Sequence, residues 1–297
     1  MRVPAKPHRL TRERVYKFLL VVFVCCLAML LWVSTASPVL PWQSKPLRVW
    51  MLDIGQGDSL LIEMPTGERL LVDGGPDKSV LSKIGTILLP WDRRIDVVIP
   101  THPDADHITG LIELAKRYDV GSVIETGAQA HTPQGDIFSQ IDLPRKLVSA
   151  GETLTYGEVT IEFLWPDQTL QGEYPQDRND TSLVMLLSYG QTTILLTGDA
   201  EEFAENMFAS RAKNIDVLHV GHHGSLTSTT WELLGETKPD VALISVGENN
   251  TYGHPHPVVV SRLILSGAEI FRTDLDGDIL LTSYGGEPSV TTHPLLF

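Results

Sequence analysis

Cysteine is almost absent: of 297 residues only Cys25 and Cys26 carry a thiol, side by side inside one apolar run. No disulfide framework and no cysteine-ligated zinc knuckle can therefore form in the rest of the chain, and any metal site must use His, Asp or Glu. Basic residues are scarce as well, 23 Lys and Arg against 37 Asp and Glu, for a formal charge of −14. The shortage is uneven, because residues 1–36 hold six Lys and Arg and one Glu, leaving 17 basic and 36 acidic residues beyond. A protein that coats nucleic acid through a broad basic face is disfavoured by that balance, although a metal-loaded cleft still attracts anions locally. Long apolar runs are limited to Phe18–Val33. With 42% apolar and 20% charged residues the chain is neither disordered nor collagen-like, and it is long enough for one large core or two modest ones.

The run Phe18–Val33 follows a basic stretch from Arg2 to Lys17 and precedes Ser34-Thr35-Ala36-Ser37-Pro38. It has no polar face, which reads as a membrane-targeting segment: a basic flank at 1–17, a signal-anchor or signal peptide at 18–36, and a Pro-rich linker at 37–46. Sixteen residues is short for a spanning helix and long for a signal core, and Ser34 and Ala36 supply small residues for cleavage, so anchor and cleaved signal both fit. Basic residues stay on the cytoplasmic side. The remaining chain is thus expected outside, as an extracytoplasmic domain on the cytoplasmic membrane or as a secreted protein.

From Leu47 onward short apolar runs alternate with turn signals. Arg48–Ile54, Ser59–Met64, Arg69–Val72, Ile95–Ile99, Gly121–Ile124, Val159–Leu164, Ser182–Ser188 and Thr192–Leu196 read as strands. Helical spacing marks Ile108–Tyr118, Glu201–Arg211, Thr229–Leu234 and Pro257–Ser266, and strands at Asp216–Val220, Val241–Val246, Glu269–Thr273 and Asp278–Thr282 continue the alternation. No internal boundary interrupts it, so one α/β domain is expected over 47–297.

Six of the ten histidines fall in three loops at strand ends. His102-Pro103-Asp104-Ala105-Asp106-His107 follows the apolar strand and opens a helix, so four ligand-type side chains crowd one turn and can converge on one or two cations. Thr197-Gly198-Asp199 ends another strand, where an Asp can bridge cations. Gly221-His222-His223-Gly224-Ser225 frames paired histidines with glycines, which suits a ligand beside an acid or base. Tyr252-Gly253-His254-Pro255-His256-Pro257 holds its histidines rigidly in a loop fixed by prolines. His219, inside a strand, reads as a satisfied core histidine.

His102-x-Asp104-x-Asp106-His107 resembles the metallo-β-lactamase superfamily motif H-x-H-x-D-H, with Asp in place of the second His. Together with Leu52-Asp53-Ile54-Gly55-Gln56-Gly57-Asp58, Leu71-Val72-Asp73-Gly74-Gly75, Asn179-Asp180-Thr181-Ser182-Leu183 and the three later loops, it is similar in order to the C-terminal domain of ComEC-type competence proteins. The resemblance implies an αββα four-layer sandwich with a metal-dependent hydrolytic site at one edge of two sheets. It also implies a nuclease-like activity on DNA or another phosphodiester. The membrane channel domain of those proteins has no counterpart among the apolar runs here, so DNA transport is not expected of this chain alone. Asn179 stands where the superfamily has its third ligand histidine.

The resemblance and the spacing together give His102, Asp104 and Asp199 one cation site, and Asp106, His107, Asp199 and a later histidine the second. His222 is the first choice for that histidine, with His254 or His256 the alternative. His254 is the expected acid and His223 its substitute, with His256 and Asp106 also counted among the catalytic groups. Asp73 is expected to orient a ligand histidine. Asp58, Gln56 and Ser225 are expected at the mouth. The oxygen-rich donor set suits manganese as well as zinc. The expected reaction is metal-assisted hydrolysis of a phosphodiester. A lactone or amide hydrolase, or a membrane-tethered binding module without turnover, are the alternatives. Nothing in the sequence indicates an oligomeric state.

Overall fold

The computed structural model describes residues 12–36 and 45–292. Residues 1–11 of the basic flank and 37–44 of the linker lie outside the described residues. Arg12–Ala36 forms α1, a helix of 25 residues, with Leu19, Leu20, Phe23 and Val24 exposed. Among the described residues no helix is long and apolar enough to cross a membrane, so the expected membrane segment at 18–33 is not supported at this level.

Lys45–Phe297 is a separate compact unit. Its chain runs through β1 (Leu47–Met51), β2 (Leu60–Glu63), β3 (Arg69–Val72), α2 (Ser79–Ile87), β4 (Arg94–Ile99), α3 (Ala105–Ala115), β5 (Asp119–Glu125), α4 (Pro133–Ser139) and β6 (Arg145–Leu147). It continues through β7 (Thr153–Tyr156), β8 (Val159–Trp165), β9 (Val184–Tyr189), β10 (Thr192–Leu196), α5 (Glu202–Phe208), β11 (Val217–His219), α6 (Trp231–Thr237), β12 (Val241–Ile244), α7 (Pro257–Ser266) and β13 (Glu269–Arg272). The last strands are β14 (Ile279–Ser283) and β15 (Ser289–Thr292). Two sheets result, ordered β15-β14-β1-β2-β3-β4-β5-β6 and β13-β12-β11-β10-β9-β8-β7.

Alternation along the strands decides the layering. Leu70, Val72, Val97 and Ile99 point into a core shared with Ile161, Phe163, Met185, Ile194 and Leu196 of the other sheet. Their neighbours Leu71 and Val98 face the opposite way, onto Val80 and Ile84 of α2 and Ile108 and Leu111 of α3. Leu195, Leu218 and Ala242 likewise meet Ala204 and Phe208 of α5, Leu233 of α6 and Val259 of α7. Three buried clusters separate four layers, helix, sheet, sheet and helix, the sandwich implied by the resemblance. A strand apolar on both faces reads as a continuous apolar run, which is why these central strands stand out in the sequence.

Edge strands are less legible. β6 and β7 alternate half-buried and exposed residues and carry little apolar signal, and α2 buries only Val80 and Ile84. None of the three is evident from apolar runs or helical spacing.

β3 to β6 run parallel, as do β10 to β13. Their carboxyl ends lie where the functional loops emerge, the usual place for a site in such sheets. The first turns of α3 are pressed onto the β3 end: Gly74 N–H donates to His107 O at 2.7 Å and Gly110 N–H to Gly75 O at 3.0 Å. A Cβ on Gly110 would sit 1.7 Å from Gly74 O. Overpacking costs about 3 kcal/mol, against a gain of about 1 kcal/mol in helix propensity. Gly110→Ala is therefore expected to lower the Tm by about 4–8 °C in a domain of this size. A thermal melt with an unchanged Tm would show that this close approach does not hold α3 in place.

Candidate metal centre

Three strand ends and one helix start build the centre. β4 ends at Ile99 and the chain enters α3 through Thr101-His102-Pro103-Asp104, so His102 hangs from the sheet while Asp106 and His107 occupy the first turn of α3. β10 delivers Asp199. β11 delivers the turn Gly221–Gly224, in which His222 and His223 both adopt left-handed backbone, with φ of 47° and 55°.

Asp199 is the hub. Its Oδ2 lies 3.3 Å from His107 Nε2, 3.7 Å from His223 Nε2 and 4.0 Å from His102 Nε2. Asp106 Oδ2 lies 3.8 Å from His223 Nε2. The three Nε2 atoms and Asp199 Oδ1 are buried without a hydrogen-bond partner among the described residues. Burying that many unpaired polar atoms is costly. A divalent cation satisfies them at once, and imidazole with carboxylate suits zinc, manganese or iron. The residues fit one or two metal ions: His102, His107 and Asp199 offer one set of converging donors and Asp106, His107 and His223 an adjoining one.

The far nitrogens are held in turn. Asp73 Oδ2 lies 2.9 Å from His107 Nδ1, and the same carboxylate accepts from Thr101 N–H at 2.8 Å and Thr101 Oγ1 at 2.7 Å. Thr101 Oγ1 and Ser182 Oγ flank His102 Nδ1 at 3.1 and 3.4 Å. His223 Nδ1 donates to Ser245 O at 2.9 Å. Each bond orients a ring so that its Nε2 faces Asp199.

Charge follows the same geometry. Burial alone would raise the Asp199 pKa, but the imidazoles of His107, His223 and His102 outweigh it and hold the carboxyl well below the usual carboxylate range. Burial opposes charge on His107 and His223 too, yet Asp199 with Asp73, and Asp199 with Asp58, carry them well above the usual histidine value. His102, buried and next to His107, is pushed down. A site that draws protons onto its imidazoles draws cations for the same reason, and releases those protons on binding.

A family model, the metallo-beta-lactamase superfamily, matches residues 52–248. The chain belongs to this superfamily. Its members supply the reading of the centre as that of a metal-dependent hydrolase. ComE operon protein 3 of Bacillus subtilis is 31% identical over 279 residues, 86% of this chain and 35% of that protein, so the chain spans about a third of its length. The exodeoxyribonuclease WalJ of Streptococcus pneumoniae is 24% identical over 195 residues, 64% of this chain and 68% of WalJ. The crystal structure of the metallo-beta-lactamase fold protein YhfI from Bacillus subtilis superposes with a TM-score of 0.54 at 16% identity, over 80% of this chain and all of YhfI, a likeness of fold.

Against the superfamily pattern, several residues lie elsewhere than the sequence suggests. His223, rather than His222, is the histidine whose Nε2 reaches both Asp199 and Asp106: adjacent side chains in a tight turn diverge, and His222 is drawn to Glu201, with Nδ1 2.8 Å from Oε1. His222 Nε2 stays 3.9 Å from Asp199 at a more exposed position. His254 lies over both rings, 5.5 Å from His222 and 6.4 Å from His223 between centroids. Burial and those two imidazoles push its pKa down to about 4, so it carries no proton at neutral pH and is ill suited to the acid role expected of it. His256 instead caps α7, its Nδ1 accepting from Val258 N–H at 3.2 Å.

Asp58 is not at the mouth. It is 1% exposed, with carboxylate oxygens 3.3 Å from His223 Nδ1 and 3.2 Å from His219 Nε2. His219 is correspondingly not a satisfied core histidine, since neither ring nitrogen makes a hydrogen bond among the described residues. The β1–β2 loop reaches this depth because Gly57 passes against Asp106 O, where a Cβ would come within 2.3 Å. Ser225 closes its own turn with Thr227 Oγ1 at 2.8 Å, and Gln56 accepts from Gly247 N–H at 3.3 Å. Asn179 sits at the rim and donates to Glu201 Oε1 at 3.1 Å. Asp104 lies with one oxygen 3.8 Å from His102 Nε2 and the other on Arg178 Nε.

Arg178 and Glu201 are the residues at the rim of the centre that sequence reasoning missed. Arg178 precedes Asn179 and Glu201 follows Asp199 by two residues, but nothing in either local pattern marks chemistry.

Proposed function

We propose that the protein is a metal-dependent phosphodiesterase acting on nucleic acid. The observation that carries the reading is the pair of adjoining donor sets, His102, His107 and Asp199 beside Asp106, His107 and His223, next to an open hollow of about 460 Å³ lined by Asp104, Asp177, Arg178, Asn179 and Glu201. Two cations held there would suit displacement at phosphorus, because together they stabilise both the attacking and the leaving oxygen. The likeness to a protein named exodeoxyribonuclease supports the same reading.

Divalent cations held by the His/Asp cluster would supply Lewis acidity and an activated water. His222 holds the proton for the leaving oxygen. Burial works against its charge, but Glu201 and then Asp199 outweigh burial and raise its pKa, and its ring stays accessible from the rim. Glu201 fixes the ring through Nδ1, and Asp104 holds Arg178 at the rim.

The test is hydrolysis by the purified full-length chain of a single-stranded oligonucleotide, a nitrophenyl phosphodiester and a lactone, with manganese or zinc supplied. Cleavage of the two diesters and not the lactone is the expected result. Turnover of the lactone alone would overturn the assignment, and no metal-dependent turnover of any of the three would favour a binding module.

We further propose that α1 tethers this domain to the outer face of the cytoplasmic membrane. The apolar run 18–33, the basic residues before it and the exposed Leu19, Leu20, Phe23 and Val24 support the tether. A reporter fused after Phe297 is expected to signal from outside the cytoplasm, and a stable fusion active in the cytoplasm would reverse the orientation.

A further inference from the structure

Next to the metal centre, with His102 in its lining, lies a cleft of about 290 Å³. His102 and Pro103 form the wall it shares with the centre, and Phe138, Arg145, Gln129 and Gln171 line the rest. Its volume is at the small end of ligand pockets, which begin at about 300 Å³. Three backbone hydrogen bonds tie its two rim loops together, Leu170 N–H to Thr126 O at 2.7 Å, Gly172 N–H to Gly127 O at 3.2 Å and Gln129 N–H to Glu173 O at 2.8 Å. The cleft is therefore built rather than left between mobile loops.

Its chemistry selects the occupant. Arg145 is neutralised by Glu125, with Nη1 2.8 Å from Oε1, and its guanidinium lies 4.9 Å over the Phe138 ring. The wall thus offers a fixed guanidinium plane without net charge, which stacks on a flat ring and gives no hold on a phosphate or carboxylate. The side-chain amides of the half-buried Gln129 and the exposed Gln171 line the cleft, and an amide pairs donor and acceptor with the edge of a heterocycle.

We infer that this cleft is a nucleobase subsite, which takes the base of the nucleotide beside the scissile phosphate and so selects nucleic acid over simple diesters. The inference rests on the phosphodiesterase reading for its purpose, but its physical basis is the cleft alone.

Two measurements on the full chain separate the two. The first is binding of free deoxyadenosine or thymidine, which carry no phosphate, by equilibrium dialysis. Binding is expected, and it should be lost in Ala128→Trp, which fills the cleft from its half-buried rim. The second compares cleavage of an oligonucleotide with that of the same strand carrying one abasic residue beside the scissile phosphate. The wild type should prefer the intact strand about tenfold, a modest value for stacking on one base. In the double variant Gln129→Ala/Gln171→Ala, whose positions are on the rim, that preference should fall toward unity.

Cleavage of intact and abasic strands at equal rates, with no nucleoside bound, would overturn the subsite and leave the phosphodiesterase standing. Nucleoside binding that Ala128→Trp abolishes, with no diester cleaved, would keep the base site and overturn the phosphodiesterase.

Discussion

Asp199→Ala is expected to strip the protein of metal and of hydrolysis together. The carboxylate lies within 3.3–4.0 Å of the Nε2 atoms of His107, His223, His222 and His102. No other carboxylate meets as many imidazoles among the described residues, so its loss leaves clustered imidazoles without the charge that draws a cation in. Metal-ion stabilisation of a hydrolytic transition state amounts to several kcal/mol, so the rate should fall by roughly 10³-fold or more. Stability supplies an independent readout. Metal at about 100 times its dissociation constant stabilises the wild type by about 2.7 kcal/mol, and that metal-dependent rise in Tm should vanish in Asp199→Ala. Normal metal content in a folded variant would remove Asp199 from the centre and with it the assignment of the whole cluster.

The second large effect separates two adjacent residues. His223→Ala should lose metal, because its Nε2 is buried, unpaired and aimed at Asp199 and Asp106. His222→Ala should keep its metal and slow the reaction by about 10²–10⁴-fold, the usual worth of a general acid. Its defect should shrink on a nitrophenyl diester, whose leaving group needs no proton. Metal titration and rates on both substrates check the pair. Metal loss in His222→Ala with normal metal in His223→Ala would exchange their roles, and a normal rate in His222→Ala would leave the leaving-group proton to another residue.

The contrast between these neighbours shows what local sequence can and cannot carry. The segment from His102 to His107 reads as a site because a strand-to-helix turn places four donors together whatever surrounds it. In the Gly221–Gly224 turn the direction of each ring is decided by remote partners, Ser245 for His223 and Glu201 for His222. Likewise the Gly-flanked Asp58 looks like a surface turn, and only the pressing of the β1–β2 loop onto α3 buries it beside His219. Arg178 carries no local signal at all, since its partner Asp104 is 74 positions away.

By itself, the sequence determined the alternation of central strands and helices, the exclusion of cysteine chemistry, the acidic balance and the loops that hold the metal donors. Those properties follow from hydrophobic period, turn residues and composition, all of which act over a few neighbouring positions. Only the tertiary structure decided which histidine faces the cations, which carboxylate is the hub, and that an arginine and an uncharged cleft flank the centre. These depend on contacts between segments distant in the chain, brought together when two sheets bury their common core and align the ends of their parallel strands.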